Sequence, residues 1–353
     1  MPRSPLTKDQ LYEVLEADNE HPNRYDAASS LGLSYQTYSA RLNAAKERLP
    51  DLTREPDFDI PDLPSEELPI EELIEYKRKR FRTRKKATDA HEWIDVKVNI
   101  DGPIGILWMG DPHIDDNHCD WEKLHSDVEL IKSNPSIKGA SIGDVHNNWI
   151  GRLSLKMSPT QETTDAQTYM LIEWLINNMD PLILIRGNHD NWTPSERDPM
   201  TWMQQPKNIS ADWQVRFRLN FPNGYCLSVD ARHDYPGHSQ YSNLHGLMKA
   251  SLWNSDADLY IAGHKHNWGI QKVEQINGKV SSLVRLRGYK YHDQYAIDKG
   301  FHQQQHGQSI LQVIDPYSSS ASKQLMFENV EEGRDYLEFL QQRGHWIFLC
   351  NVW

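Results

Sequence analysis

The sequence predicts an α/β body preceded by a small all-α unit, and three observations carry that expectation. Four runs of largely apolar residues, IGILWMG, GASIG, PLILIRG and ADLYIAG, each read as a buried strand. Each run stops at a cluster of Asp, Asn or His, so a polar site is expected at the strand ends. Segments of helical period such as DWEKLHSDVELIKSN and TDAQTYMLIEWLINNM lie between the runs, whereas the first fifty residues hold helical patterns.

Composition bounds the class. A chain of 353 residues suits one large catalytic domain with appendages. No apolar run reaches the eighteen or so residues of a membrane span, and MPRSPLTKDQ lacks the apolar core of a signal peptide. Cys119, Cys226 and Cys350 are few and far apart, which argues for a reducing, cytoplasmic setting. The net charge of −12 excludes generic nucleic-acid binding, so any polyanion must meet a local patch.

Taken in order, Thr7 is placed to cap a helix that turns Leu11, Val14 and Leu15 to one face. A second helix covers Tyr25 to Leu31, Gly32 breaks it, and Ser34 caps a third with Tyr38, Leu42 and Ala45 on one face. The fragment from Ala27 to Leu42 looks like a helix-turn-helix, a unit that enters a DNA groove or serves as a packing module. Residues 51–90 begin as an acidic, Pro-rich linker and then reverse sign in YKRKRFRTRKK, where eight of eleven residues are basic. Lys77, Arg78, Lys79, Arg80, Arg82, Arg84, Lys85 and Lys86 are the candidate nucleic-acid contacts, and a solvated helix paired with the acidic linker is the alternative.

From residue 91 to about 330 the pattern is catalytic. HEWIDVKVNI, Asp101-Gly102 and PIGILWMG predict a β-hairpin that delivers Asp111 and His113, which in extended backbone face one side. GASIG delivers Asp144 behind Gly143, and PLILIRG delivers Asn188, His189 and Asp190. GYCLSVDA leads to His233, preferred over His238 and His245 because it directly follows the strand, and ADLYIAG leads to His264 and His266. Carboxylate, amide and imidazole donors gathered at one point suit a divalent metal. Trp149 and Trp192 are expected either to line the cleft or to pack, and Arg285, Arg287 and Lys290 either to charge its mouth or to lie on a solvated strand face. Residues 331–353 read as a short amphipathic helix and an apolar tail that docks on the body or pairs two copies into a homodimer.

The series Asp111-x-His113, Gly143-Asp144, Gly187-Asn188-His189-Asp190, His233 and Gly263-His264-x-His266 resembles the signature of the calcineurin-like metallophosphoesterase superfamily, with clusters about thirty to forty-five residues apart. It covers about Ile100 to Gln312 and leaves the first hundred residues aside. The resemblance implies two stacked mixed β-sheets flanked by helices, with the site on loops at the strand ends. It implies two divalent ions, manganese first, with iron, zinc or magnesium as alternatives. Asp111, His113 and His266 would hold one, Asn188, His233 and His264 the other, and Asp144 would bridge them. A bridging hydroxide would attack phosphorus in line while His189 stabilises charge or protonates the leaving oxygen. His146, Asn147, Asp190 and Arg186 are the expected substrate contacts. Asn147 and Asn148 stand where the protein Ser/Thr phosphatases carry an Asp and an Arg, so the pattern is closer to the DNA-repair-nuclease branch, although His146 lies one place earlier than that branch's histidine. The expectation is a two-metal phosphodiesterase acting on DNA, of a kind that would suit a phage. A phosphatase or small-diester esterase with an accessory head is the alternative, as is a DNA-binding scaffold.

Overall fold

The computed structural model describes residues 6–49, 69–90, 92–150, 154, 163–192, 208–253, 257–291 and 304–350, with side chains except at 87–90 and 344–350. The chain divides into two compact units, Met1–Lys77 and Arg78–Trp353.

The first unit holds α1 (Lys8–Glu20), α2 (Arg24–Ser30) and α3 (Tyr35–Arg48). The first and third start at the caps read from sequence, and the second at Asn23. Thr7 and Gln10 form a reciprocal capping box, and Asn23 and Ser34 accept from the orphan N–H groups of the next two helices. Leu11, Val14, Leu15, Ala27, Ala28, Tyr38, Leu42 and Ala45 make a core of their own, and Gly32 takes the left-handed turn at φ 64°. Helix α4 (Ile70–Ala90) follows, with Glu71 and Glu72 in its first turn and every residue from Lys77 to Lys86 exposed. The acidic linker expected at 51–68 lies outside the described residues.

The second unit contains twelve strands among its described residues, in chain order β1 (Ile94–Lys97), β2 (Ile104–Met109), β3 (Ile137–Ser141), β4 (Pro181–Arg186), β5 (Ile209–Asp212) and β6 (Gln214–Asn220). They continue as β7 (Cys226–Arg232), β8 (Leu259–Ala262), β9 (Gly269–Glu274), β10 (Val280–Arg285), β11 (Ser309–Ile314) and β12 (Gln324–Phe327). These build two six-stranded mixed sheets, in the orders β1-β6-β7-β8-β10-β9 and β12-β11-β2-β3-β4-β5. Period-two alternation explains why the sheets stack. Ile106 and Trp108 of β2 face inward to Phe217, Val229 and Ile261 of the other sheet, while Leu107 and Met109 face outward.

Outside the second sheet, α5 (Trp121–Ser133) and α6 (Asp165–Asn178) are the crossovers that make β2, β3 and β4 parallel. Leu124, Val128, Ile131, Ile172, Leu175 and Ile176 bury their apolar faces there. Helix α7 (His245–Trp253) covers the outer face of the first sheet through Leu247 and Ala250. Helix α8 (Val330–Cys350) runs longer than the short helix expected, and Val330 and Leu337 seat it on the second sheet. Among the described residues no helix is long and apolar enough to cross a membrane.

Two sequence expectations are corrected here. The segments around Asp101-Gly102 do not form a hairpin, because β1 pairs with β6 in one sheet and β2 with β3 and β11 in the other. The alternating burial of β1 suits a sheet edge, whereas every residue of β2 is buried and demands a central place. Arg285 and Arg287 are neither at a cleft mouth nor on a solvated face, for both are fully buried, and Lys290 is nearly so. Arg285 donates to Asp234 and to the carbonyls of Gly263 and Asn243.

Candidate metal centre

Parallel strands deliver the polar clusters to one end of the sandwich. The ends of β2, β3 and β4 release Asp111, Asp144 and Asn188, and those of β7 and β8 release His233 and His264. Backbone hydrogen bonds then fuse these loops. His113 N–H donates to the Asp144 carbonyl at 3.1 Å and Gly263 N–H to the His233 carbonyl at 3.1 Å. Across the two sheets, His264 N–H donates to Asp111 Oδ2 at 2.6 Å.

This close approach constrains the chain. A methyl group on Gly187 would lie 2.1 Å from Asp144 Oδ1, and one on Gly263 would lie 2.6 Å from Asp111 Oδ1, so side chains are excluded at both places. His113, Asp144, His264 and His266 all sit in the left-handed region, at φ 44°, 50°, 67° and 47°. That conformation costs a non-glycine residue about 1–2 kcal/mol, and four instances in one cluster mark strain held for chemistry. It also corrects the idea that Asp111 and His113 converge along extended backbone, since the chain turns sharply at His113.

One half of the centre gathers around His233 Nε2. Its Nδ1 lies 2.9 Å from the Ile142 carbonyl, which can only accept, so Nδ1 carries a proton and Nε2 is turned inward. Nε2 meets Asn188 Oδ1 at 3.1 Å, Asp144 Oδ2 at 3.2 Å and His264 Nδ1 at 3.1 Å. All four atoms are of types that bind a cation. Bond lengths near 2.0–2.1 Å to a small divalent ion would set neighbouring ligands roughly 3.0–3.4 Å apart, which is the distance of the other three from His233 Nε2.

The other half is looser. His113, Asp144 and His189 bring one ligand atom each within 4.8 Å of one another. His266 Nε2 is 3.9 Å from Asp111 Oδ2, and the His113 and His266 rings stack at 5.2 Å. Asp111 Oδ1 and both ring nitrogens of His113 are buried with no hydrogen-bond partner. Such atoms cost about 1–3 kcal/mol each unless something binds them, so the residues present fit a metal. Asp144 belongs to both halves.

The electrostatics agree with that fit. Burial, aided by Lys290 and the other imidazoles, holds His113 well below the ordinary histidine range, and burial with Lys290 puts His266 at about 3, so both are neutral donors. Burial opposes charge on His233, yet the Asp144 and Asp111 carboxylates outweigh it and raise the ring to about 10, the response of a site that favours positive charge. Asp144 is correspondingly lowered, its burial overcome by His233 and His189. Burial lifts Asp111 to about 8, against the pull of His233 and with the charge of Asp144 adding to the rise.

His189 stands beside this centre rather than within its tightest contacts. Its N–H donates to Asp144 Oδ1 at 2.9 Å and its Nε2 is 4.0 Å from Asp144 Oδ2. Nδ1 is 2.5 Å from the Asn147 main-chain carbonyl, which fixes the proton there and turns Nε2 toward the donors. Asn147 is pinned on every side: its N–H donates to Asp115, its Nδ2 to Asp116 at 2.7 Å, and its Oδ1 accepts from Lys290. Lys290 also pairs with Asp116 at 2.8 Å; burial opposes charge on that carboxyl, but the pairing outweighs burial and depresses it.

All four expected substrate contacts have partners within the protein. The Asn147 side chain is consumed by Asp116 and Lys290. The fully buried Asp190 carboxylate accepts from the N–H groups of Asp144, Val145 and Gly187 and from His146 Nδ1, locking the β3 loop to the β4 loop. Arg186 pairs with Asp212 on the neighbouring strand, while His146 is buried against Asp190. Trp149 and Trp192 pack against His189 with ring centroids at 4.9 and 4.1 Å. Lys290 and Asp116 were legible only as charges, because nothing in their spacing tells that they meet. His238 and His245 are exposed, whereas His233 is fully buried.

No protein-family profile matches the chain, and no curated protein matches it in sequence. Among solved structures, a 5′-nucleotidase precursor from Thermus thermophilus matches with 9% identity and a TM-score of 0.36, over 64% of this chain and 54% of that one. An NAD nucleotidase from Haemophilus influenzae matches with 10% identity and a TM-score of 0.35, over 61% of this chain and 48% of that one. The chain spans about half the length of these two proteins. Likeness at that level assigns no activity.

Proposed function

We propose that this protein is a metal-dependent phosphoesterase that hydrolyses phosphodiester bonds, with DNA as its substrate class. The observation that carries the reading is the convergence of Asn188, Asp144 and His264 on His233 Nε2, with Asp144 shared by a second donor group. Asn188, His233 and His264 would hold one ion, Asp111, His113 and His266 the other, and Asp144 would touch both. Divalent ions bound there, manganese suiting the mixed nitrogen and oxygen donors, would offset phosphate charge and make water a better nucleophile.

The chain's own residues supply the rest. With Nδ1 held by the Asn147 main-chain carbonyl, His189 turns Nε2 toward the donors, 4.0 Å from Asp144 Oδ2. A proton carried at Nε2 would stabilise charge developing on phosphoryl oxygen or pass to the leaving alkoxide. Recruitment of DNA rests on the exposed run Lys77–Lys86 of α4, whose eight cations would release counterions from a polyanion and make binding fall steeply with salt.

The test is hydrolysis of linear DNA, circular single-stranded DNA and bis-p-nitrophenyl phosphate, with manganese and with chelator, by wild type and His189→Ala. Manganese-dependent cutting of DNA that falls about 10²–10⁴-fold in the variant at unchanged metal content supports the reading. Cleavage of the small diester alone removes DNA from it, and no turnover of any substrate by metal-loaded protein overturns it.

A further inference from the structure

We infer that Trp213 is a platform on which a nucleobase of the substrate stacks while its phosphate meets the Asp144, Asn188, His233 and His264 donors, an inference that rests on the phosphoesterase reading. Trp213 is the single residue between β5 and β6, so it is where the chain leaves the second sheet and enters the first. Its N–H donates to the Arg186 carbonyl at 3.0 Å, and its carbonyl accepts from His233 N–H at 2.7 Å. The residue is thereby clamped between the strand that carries Asn188 and the backbone of His233.

Its conformation and its exposure are both unusual. The backbone lies at φ 64°, which glycine or asparagine adopts readily and a bulky aromatic residue seldom does. A residue that served only to turn the chain would not need an indole here. The side chain does not repay the strain by filling the core, because it remains 39% exposed. Instead its ring meets the His233 imidazole at 5.1 Å with an interplanar angle of 75°, and lies 6.1 Å from the His264 ring. Trp149 and Trp192 differ, for they are less exposed and lean on His189 on the other side of the donors. A partly exposed indole in ring contact with His233, whose Nε2 meets Asn188, Asp144 and His264, offers a planar heterocycle a sequence-tolerant stacking surface next to the place its phosphate would occupy.

Two esters with one leaving group separate this from a merely structural role: thymidine 5′-(p-nitrophenyl phosphate) and methyl p-nitrophenyl phosphate, assayed with manganese-loaded wild type, Trp213→Leu and Trp213→Phe. Loss of the platform in Trp213→Leu should raise KM for the thymidine ester about tenfold while KM and kcat for the methyl ester stay within about twofold, and Phe should restore most of the loss. Equal damage to both esters means that Trp213 only props His233, which overturns the proposal. Calorimetric binding of thymidine 5′-monophosphate and of inorganic phosphate is the second readout. Wild type should bind the nucleotide more tightly than phosphate, and Trp213→Leu should erase that difference. If wild type hydrolyses neither ester yet shows this pattern, the phosphoesterase reading fails and the platform stands. Equal affinity of wild type for the nucleotide and for phosphate overturns the platform whatever the hydrolysis results.

Discussion

The two halves of the candidate centre are built from similar residues and held in opposite ways. Around His233 the other donors lie 3.1–3.2 Å from its Nε2 and the ring is anchored from behind by the Ile142 carbonyl. Around His113 both ring nitrogens and Asp111 Oδ1 have no partner, and Asp111 stands 3.9 Å from His266. The first arrangement keeps its shape through its own contacts, a proton on His233 standing in for a metal. The second is organised from outside, by the Lys290, Asp116 and Asn147 network next to it. If the two halves each take an ion, they should bind unequally, because only one half is preorganised.

The sharpest way to break the comparison is to remove what the halves share. Asp144→Asn should lose roughly 10³-fold or more in phosphoester turnover and lower the content of both ions. Metal analysis that finds one ion fully retained would show that Asp144 serves one half only. A smaller effect is expected at Lys290, which braces the looser half. Lys290→Met leaves Asp116 buried without its cation and should cost about 3 kcal/mol at neutral pH. Because Asp116 is depressed by this pairing against the effect of its burial, its contribution is present above the ordinary carboxylate pKa and is lost as pH falls through the folded value. The gap between wild type and variant in chemical denaturation should therefore narrow below about pH 4. The smallest effect sharpens the contrast itself. In chelator, His233→Ala should destabilise the protein by about 1–3 kcal/mol, whereas His113→Leu should be neutral or stabilising because its nitrogens have no partners to lose. Equal losses in urea titrations would erase the distinction drawn between the halves.

Much of this was legible in the sequence, for local physical reasons. Asp111, Asp144, Asn188 and His264 each follow an apolar run, and a strand end is a place where a side chain can be aimed. Thr7 and Ser34 show their capping roles in their spacing from the helices, whereas the Asn23 cap emerged only in the structure. What stayed hidden depends on contacts between distant segments. Arg285, Arg287 and Lys290 look like surface charge until Asp234, Tyr291 and Asp116 are folded against them. Asp190 looks like a substrate ligand until three N–H groups converge on it. Trp213 carries no sequence signal, since one aromatic residue between two polar ones reads as an ordinary strand end. The hairpin reading failed because a turn signal such as Asp101-Gly102 reports a bend and not which sheet each arm joins.

The place of β2 has a consequence for how the body comes into being. One neighbour, β3, is supplied about thirty residues later, but the other is β11, with Ile104 opposite Ile314 and Met109 opposite Ser309. The strand that carries Asp111 therefore waits for some two hundred residues of chain before its second flank is covered, and β1 likewise waits for Phe217 and its neighbours. Contacts this distant in sequence make for slow closure. Any nascent chain stopped short of Ser309 would present Ile104–Met109, six buried and mostly apolar residues, as an open edge ready to pair with another molecule.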